Sequence, residues 1–251
     1  MSDNEIKSAV KEKYGEIARK SASCCGPTCG CGTDASIAGT IIMNDLYSDV
    51  DAEVRESADL GLGCGTPAAF ADLEEGMTVL DLGSGAGIDV FVAAKKVGGS
   101  GRVIGVDMTE EMIKRAEANK SKLKAANTEF RLGEIENLPV ASASVDRIIS
   151  NCVINLVPDK RRAFAEMYRV MKPGGKFTVS DIVSVGQIPE EVRKDLTEWA
   201  GCVSGALDRE EYLGIARAAG FRDVNVVSDK PYTLDVTVRF GLHSITVSGV
   251  R

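Results

Sequence analysis

The sequence predicts an α/β fold in which a mainly parallel sheet carries helices on both faces and is followed by a small C-terminal α+β addition. Two observations predict it. Segments of strand and helix character alternate between residues 77 and 182, which is typical of a parallel sheet covered on both sides. A glycine-rich turn at residues 83–87 joins the first strand to the first helix. A chain of 251 residues can form one such domain and a smaller addition.

The N-terminal part has a different pattern. Residues 3–20 place apolar side chains at steps of three and four, which predicts an amphipathic helix that covers another surface. Residues 21–39 are rich in Ser, Cys, Gly and Pro and predict a loop. Residues 40–76 predict irregular or weakly helical structure that ends in a turn around Cys64.

From residue 77 onward the elements have clear local signals. We predict strands at 77–82, 102–106, 128–132, 145–150 and 176–182, and helices at 87–97, 109–125 and 159–171. Thr109 and Asp159 are suited to cap the second and third of these helices, and a Pro-Gly-Gly turn ends the third. The remaining residues predict helices near 189–200 and 208–219 and strands around 223–228, 232–238 and 243–250.

Charge and composition exclude several classes of partner. A formal net charge of −7 disfavours the nucleic-acid backbone, which needs clustered Lys and Arg. No uncharged run approaches the roughly 18 residues of a membrane span, so we expect neither a nucleic acid nor a membrane as partner. The charged N-terminus has no signal-peptide core, which predicts a cytoplasmic protein. Thiols stay reduced there, so the seven cysteines indicate catalysis or metal binding rather than disulfides.

The glycine-rich turn predicts a ligand site. Asp81 ends the first strand and precedes Gly83, Gly85 and Gly87. Such a turn brings backbone N–H groups and a helix N-terminus to the crevice at the carboxyl end of the sheet, which favours a nucleotide-like ligand. The dinucleotide fingerprint Gly-x-Gly-x-x-Gly needs its third glycine at Ile88, one residue later than here. A pyrophosphate-binding dehydrogenase is therefore disfavoured.

The end of the second strand supplies a second part of this site. Asp107 follows Gly87 by twenty residues, and a carboxylate at this place can accept hydrogen bonds from two ribose hydroxyls. Met108, the next residue, can pack on an adenine ring.

Residues 79–87, 105–107 and 159–180 together resemble the class I S-adenosylmethionine-dependent methyltransferases, and the match covers residues 70–185. The resemblance implies S-adenosyl-L-methionine as the cofactor and a Rossmann-like class I methyltransferase sheet. The domains that we expect are 1–39 (N-terminal helix and cysteine-rich loop), 40–182 (cofactor-binding methyltransferase domain) and 183–251 (C-terminal substrate-binding addition).

The resemblance also implies which residues meet the cofactor. Asp81 and the glycine loop would face its amino-acid part, Asp107 its ribose, and Glu134 with Ile135 its adenine. Tyr14 resembles an N-terminal tyrosine that reaches the cofactor carboxylate, although a core-facing position on an amphipathic helix is an equally good alternative. The full set of expected cofactor residues is Tyr14, Asp81, Gly83, Ser84, Gly85, Gly87, Asp107, Met108, Glu134, Ile135 and Asn151.

Three widely spaced cysteines indicate that thiol chemistry takes place beside the predicted ligand site. Cys152 directly follows the fourth strand, so it opens onto the same crevice as the glycine loop. Cys64 and Cys202 have glycine neighbours, which is unusual for a cysteine with the ordinary role of a small buried apolar residue. The single histidine, His243, gives little support for acid–base chemistry. An acceptor that attacks with its own lone pair fits better.

The segments 60–65, 151–153 and 201–207, which surround these cysteines, resemble the arsenite methyltransferases. The resemblance implies that Cys152 and Cys202 hold trivalent arsenic as thiolates. It also implies that Cys64 binds arsenic or reduces the oxidised product through a disulfide relay with an N-terminal cysteine. Arsenite or its thiol conjugates would be the substrate, and a thiol reductant such as thioredoxin or a small thiol would be a partner.

The N-terminal cysteine cluster departs from that family, which has one partner cysteine there. Which of the four is the redox partner is open: Cys24, Cys25, Cys29 or Cys31. A structural zinc site would need Cys-x₂-Cys pairs separated by a longer loop, and these spacings are too tight for it.

Two other functions stand beside arsenite methylation. A quinone-precursor C-methyltransferase is one, because residues 159–180 resemble those enzymes equally well; it gives no reason for the three cysteines. A non-catalytic, thiol-based metalloid-binding protein is the other. It would not need Asp81, Asp107 and an intact glycine loop.

Overall fold

The computed structural model describes residues 2–20, 50–186, 188, 205–232 and 241–251. The strands are β1 (Thr78–Leu82), β2 (Arg102–Asp107), β3 (Thr128–Leu132), β4 (Val145–Asn151), β5 (Met171–Val185), β6 (Arg222–Tyr232) and β7 (Gly241–Val250). The helices are α1 (Asp3–Lys20), α2 (Ala52–Ala58), α3 (Pro67–Phe70), α4 (Ile88–Val97), α5 (Glu110–Leu123), α6 (Lys160–Val170) and α7 (Arg209–Ala218), with a 3₁₀ turn at Ile154–Leu156.

All seven strands lie in one sheet, in the order β3-β2-β1-β4-β5-β7-β6. The strands β1 to β5 are parallel to one another, whereas β7 lies antiparallel between β5 and β6. Because β1 pairs with both β2 and β4, the direction of chain progression across the sheet reverses at β1. A crevice therefore opens there, at the carboxyl ends of the strands.

Helices cover both faces of the sheet. On one face, α6 and α7 contribute buried side chains such as Phe164 and Tyr212. On the other face, α4 and α5 contribute Phe91 and Ala116. The α1 helix lies on α5. This architecture confirms the predicted fold class, and β6 and β7 of the C-terminal addition extend the same sheet.

The predicted strands and helices between residues 77 and 182 are present, with shifts of a few residues at their ends. The β5 strand is longer than predicted at both ends: it begins at Met171, which pairs with Val145 of β4, and its antiparallel pairing with β7 continues to Val185. The strand predicted around 223–228 is longer than expected: β6 runs to Tyr232, which pairs with Leu242 of β7. The strand predicted around 232–238 lies almost entirely outside the described residues, and so does the helix predicted near 189–200.

The two predicted helix caps have different outcomes. The Asp159 side chain accepts a hydrogen bond from the Arg162 amide at 2.9 Å and caps α6, as predicted. Thr109 stands at the N-cap of α5 but its side chain makes no capping bond, so that prediction is wrong. The Thr109 amide donates to Asp107 Oδ1 at 2.8 Å.

Within the described residues, no helix has the length and apolar character that crossing a membrane requires.

We expect Phe164→Ala to lower the free energy of unfolding by about 3–5 kcal/mol, because it leaves a cavity where α6 and α7 meet the sheet. The Phe164 ring is fully buried and meets those of Phe177, Tyr212 and Phe221 edge-on at centroid distances of 5.9, 5.7 and 6.4 Å. Urea unfolding followed by circular dichroism measures the change. The control is Val227→Ala, at a position that is 41% exposed, and an equal loss in both variants would contradict the expectation.

Candidate active site

A cleft that is open to solvent lies at the carboxyl ends of β1, β2 and β4. The expected cofactor residues that line it are Tyr14, Asp81, Gly83, Ser84, Gly85, Asp107, Met108, Ile135 and Asn151. Cys152 lines it as well. The structure thus brings the predicted thiol and the predicted cofactor residues to one cavity.

The glycine loop is fixed to the neighbouring strand. The amides of Gly83 and Ser84 both donate to the Val106 carbonyl, at 2.7 and 3.0 Å. Gly83 has a φ of 66°, a left-handed conformation that favours glycine. A Cβ there would lie 2.5 Å from the Val153 side chain. Gly87 is the N-cap residue of α4 rather than part of the cleft lining.

Acidic side chains lie in and below this loop. Asp81 and Asp89 are 2% and 3% exposed, and both line the cleft together with Asp107. Burial, and then the charges of Asp89 and Asp107, raise the pKa of Asp81 well above its usual value. Burial also raises the pKa of Asp107, although its backbone donors lower it. A ligand with positive charge at this place would relieve the repulsion.

The polar atoms around Asp107 fit a ligand with hydroxyl groups. The Gly85 amide donates to Oδ2 at 2.9 Å and the Thr109 amide to Oδ1 at 2.8 Å, and a carboxylate oxygen has room for a further donor. Ser84 Oγ is buried and has no hydrogen-bond partner among the described residues. Because Ser84 lines the cleft, a bound ligand can supply that partner.

The α1 helix forms one wall of the cleft. Lys7 and Tyr14 line it from α1, and Lys7 Nζ lies 2.8 Å from Glu134 Oε2 and 3.1 Å from Glu136 Oε2. Lys11 adds a pair to Glu134 at 3.3 Å. Glu134, expected at the adenine, is therefore turned to the lysines of α1 and does not line the cleft, whereas Glu136 does.

Cys152 lies in a strained turn at the end of β4. Its φ is 61°, which is unusual for a residue with a side chain. Its amide donates to the Ser180 carbonyl of β5 at 2.7 Å, and the residue is 3% exposed. Strain of this kind is typical of functional sites, where surrounding contacts hold it. Here it places the thiol in the wall of the cleft.

Cys64 is 1% exposed and does not line the cleft. The turn that carries it is held from two sides. The amides of Cys64 and Gly65 donate to Asn151 Oδ1 at 3.0 and 3.1 Å, and Ser244 Oγ donates to the Cys64 carbonyl at 2.5 Å. A side chain in place of Gly65 would collide with Ser180, which explains a glycine beside this cysteine.

Tyr212 and Asp181 form a buried polar pair. Tyr212 donates to Asp181 Oδ2 at 2.8 Å, and burial raises the pKa of Asp181 to about 7. Burial and then Asp181 raise the pKa of Tyr212 well above its usual value, with smaller contributions from Cys64 and Cys152.

The other predicted cysteines, Cys202, Cys24, Cys25, Cys29 and Cys31, lie outside the described residues. His243 is placed away from the cleft lining, and its Nδ1 lies 2.6 Å from Asp229 Oδ1.

Three features of the site were missed by the sequence prediction. Lys7 and Val10 line the cleft with Tyr14, and their spacing of three and four along α1 was the available signal. Asp89 had a weaker signal, its place in the first turn after the glycine loop. The contacts of Asn151 with the Cys64 turn had none, because the two are distant in sequence.

The fold and the site together define the class of the protein. The protein has the features of a class I S-adenosylmethionine-dependent methyltransferase. These are a sheet with one antiparallel strand, a glycine loop after β1, an acidic residue at the end of β2 and a cleft between β1 and β4. Residues 73–220 match the family model described as "Methyltransferase domain".

Comparison with known proteins shows which methyltransferases this chain is similar to. The chain is 46% identical to an arsenite methyltransferase of Halobacterium salinarum, over 88% of this chain and 59% of that protein. It is 36% identical to human arsenite methyltransferase, over 92% and 62%. A solved structure of an arsenic(III) S-adenosylmethionine methyltransferase from Chlamydomonas reinhardtii matches with a TM-score of 0.72 and 36% identity, over 82% of this chain and 72% of that one.

The chain therefore belongs to the arsenite methyltransferase family. It spans about three fifths of the length of these curated relatives.

We expect the affinity for S-adenosylmethionine to fall as the pH drops through the raised pKa of Asp81, because protonation removes the negative charge that attracts the sulfonium. Above that pKa the attraction is fully present. S-adenosylhomocysteine, which lacks the sulfonium charge, should depend less on pH. Titration calorimetry with both ligands between about pH 8 and pH 5 measures the difference. Asp81→Asn should reduce it, and the same pH dependence for both ligands would contradict this expectation.

Proposed function

We propose that the protein transfers a methyl group from S-adenosylmethionine to trivalent arsenic held by its cysteine thiolates, giving methylated arsenicals. The observation that carries the proposal is the position of Cys152 in the wall of the cleft that also contains the glycine loop. The names of the relatives support the choice of arsenic as the acceptor.

The residues of the cleft fit the cofactor. The carboxylates of Asp81 and Asp89 suit its positive charge, Asp107 suits the ribose hydroxyls, and Ser84 Oγ offers a further polar contact. Met108 and Ile135 offer apolar surface for the adenine. When bound, the cofactor supplies a methyl group on a positively charged sulfur.

The thiolates suit the acceptor. Soft sulfur ligands favour a soft, thiophilic centre, and two thiolates from Cys152 and Cys202 would leave the arsenic lone pair available as the nucleophile. Such an acceptor needs no general base. The position of His243 on Asp229, away from the cleft lining, agrees with this.

Methylation in this way removes two electrons from arsenic, so a reductant is required for the next cycle. We assign that role to Cys64 together with one of Cys24, Cys25, Cys29 and Cys31, which would form a disulfide as they return the two electrons. A thiol partner, thioredoxin or a small thiol, would then reduce the disulfide. The cytoplasm provides such reductants, and arsenite or its thiol conjugates would be the substrate.

Product speciation tests the proposed function. The protein is incubated with arsenite, S-adenosylmethionine and a thiol, and arsenic species are separated by chromatography. Methylated arsenic is the expected result. Bound but unmethylated arsenic would instead support a non-catalytic metalloid-binding protein, and methylation of a quinone precursor alone would support a C-methyltransferase.

Cys152→Ser and Cys202→Ser should each abolish arsenite methylation while the affinity for S-adenosylmethionine changes little. A serine hydroxyl stays protonated near neutral pH and is a poor ligand for a soft centre. Arsenic speciation measures the first effect and titration calorimetry the second. Turnover near that of the unmodified protein in either variant, at low arsenite, would remove that cysteine from the arsenic site.

Cys64→Ser should still bind arsenite but stall early in multiple turnover, because the oxidised product is no longer reduced internally. Mass mapping of the unmodified protein, quenched after one turnover, should show a disulfide that contains Cys64, and its Cα atom must then come within about 7 Å of its partner's. Sustained turnover of Cys64→Ser, with Cys64 of the unmodified protein always reduced, would leave Cys64 a packing role only.

A further inference from the structure

The Asn151 side chain connects the Cys64 turn to the cofactor cleft. Its Oδ1 accepts hydrogen bonds from the amides of Cys64 and Gly65 at 3.0 and 3.1 Å. Its Nδ2 donates to the Gly65 carbonyl at 2.7 Å and to Asp89 Oδ2 at 3.2 Å. One planar amide thus contacts a turn that lies 86 residues earlier in the chain and a carboxylate of the cleft.

Only an amide side chain of this length can make this set of contacts. It needs an acceptor for two backbone N–H groups and two donors for the carbonyl and the carboxylate, which asparagine provides on one short side chain. Aspartate has the acceptor but lacks the donors, and it would place a negative charge beside Asp89. Loss of the amide would leave buried backbone groups of the Cys64 turn without their partner.

Asp89 links the Asn151 side chain to the ligand-binding cleft. Asp89 lies in the first turn of α4, directly after the glycine loop, and it is 3% exposed and lines the cleft. A ligand that occupies the cleft therefore acts on the partner of Asn151 Nδ2. The second hold on the Cys64 turn, the bond from Ser244 of β7, involves a residue that does not line the cleft.

We propose that Asn151 is a positioning residue that couples occupancy of the cofactor cleft to the order of the Cys64 turn. A ligand in the cleft restricts the Asp89 side chain. Asp89 then restricts the Asn151 side chain that donates to it, and the Cys64 turn opens less often. By linkage, an ordered Cys64 turn favours the bound cofactor by the same factor. The cysteine next to Asn151, Cys152, is held at the same strand end.

In the reaction, and here the inference rests on the proposed function, this coupling would keep Cys64 in its buried position while a methyl donor is present. It would also let the turn open more readily when the cleft is empty. The thiol would then be accessible to reductant mainly between catalytic cycles.

The test follows the alkylation of Cys64 by iodoacetamide, with peptide mass mapping to separate it from the other cysteines. Cys64 is almost fully buried, so its alkylation requires local opening and reports on how firmly the turn is held. The rate is measured without ligand and with saturating S-adenosylhomocysteine. In the unmodified protein the ligand should slow alkylation at least about fivefold, the lower end of typical coupling between sites.

Two variants and a control test whether the protection of Cys64 depends on the Asn151 side chain. Asn151→Ala removes the amide contacts, whereas Asn151→Asp keeps the acceptor for the two amides and loses the donations to the Gly65 carbonyl and to Asp89. Both should raise the ligand-free rate, because both lose the bond that holds the Gly65 carbonyl. Both should also reduce protection below about twofold, because coupling needs the intact link. Asn127→Ala is the control, since Asn127 also donates to two backbone carbonyls, of Ala94 and Gly98, away from the cysteines. It should keep full protection.

Calorimetry first fixes the ligand concentration that saturates each protein. If Asn151→Ala does not fold, Asn151→Asp carries the test. Full protection in either folded Asn151 variant, or no protection in the unmodified protein, would overturn the proposal. Because the readout contains no arsenic, its failure is distinguishable from a failure of arsenite methylation.

Discussion

The pairing of β1 with both β2 and β4 is the constraint on which the rest of the structure depends. It places the ends of three strands around one crevice, and each strand brings a different group to it: β1 the glycine loop, β2 Asp107, and β4 Asn151 with Cys152. Neither the ligand-binding loop nor the thiol would be useful alone. Their proximity follows from the register of parallel strands rather than from any local motif.

The crevice is maintained at some cost to stability. Asp81 is buried beside other carboxylates, and its raised pKa means that ionising it in the folded protein is unfavourable. A group of this kind stabilises the fold fully only below its unfolded pKa, and that contribution is lost as the pH rises through the folded pKa. At neutral pH a cationic ligand offsets the repulsion. The ligand-free protein is therefore poised for a positively charged partner.

Local signals predicted the elements between residues 77 and 182, and the glycine loop, Asp107 and Cys152 were placed correctly in one crevice by topology alone. The side chains whose roles depend on distant segments were not predictable in this way. Glu134 turns to the lysines of α1, and only the packing of that helix decides whether it or Glu136 faces the cleft. The strand predicted around 223–228 was too short because pairing with β7, which continues to Tyr232, extends β6 beyond the local sequence signal.

The wall that α1 contributes to the cleft is attached by apolar packing of Ile17 and Ala18 on Met112 of α5 and, in addition, by charge. Lys7 and Lys11 hold Glu134 and Glu136 at partly exposed positions, where side-chain exposures range from 10% to 43%. Exposed ion pairs weaken as salt is added, since the screening length falls from about 30 Å at 0.01 M to about 8 Å at 0.15 M ionic strength. The part of the α1 attachment that depends on these ion pairs therefore weakens as the ionic strength rises, whereas the apolar part does not.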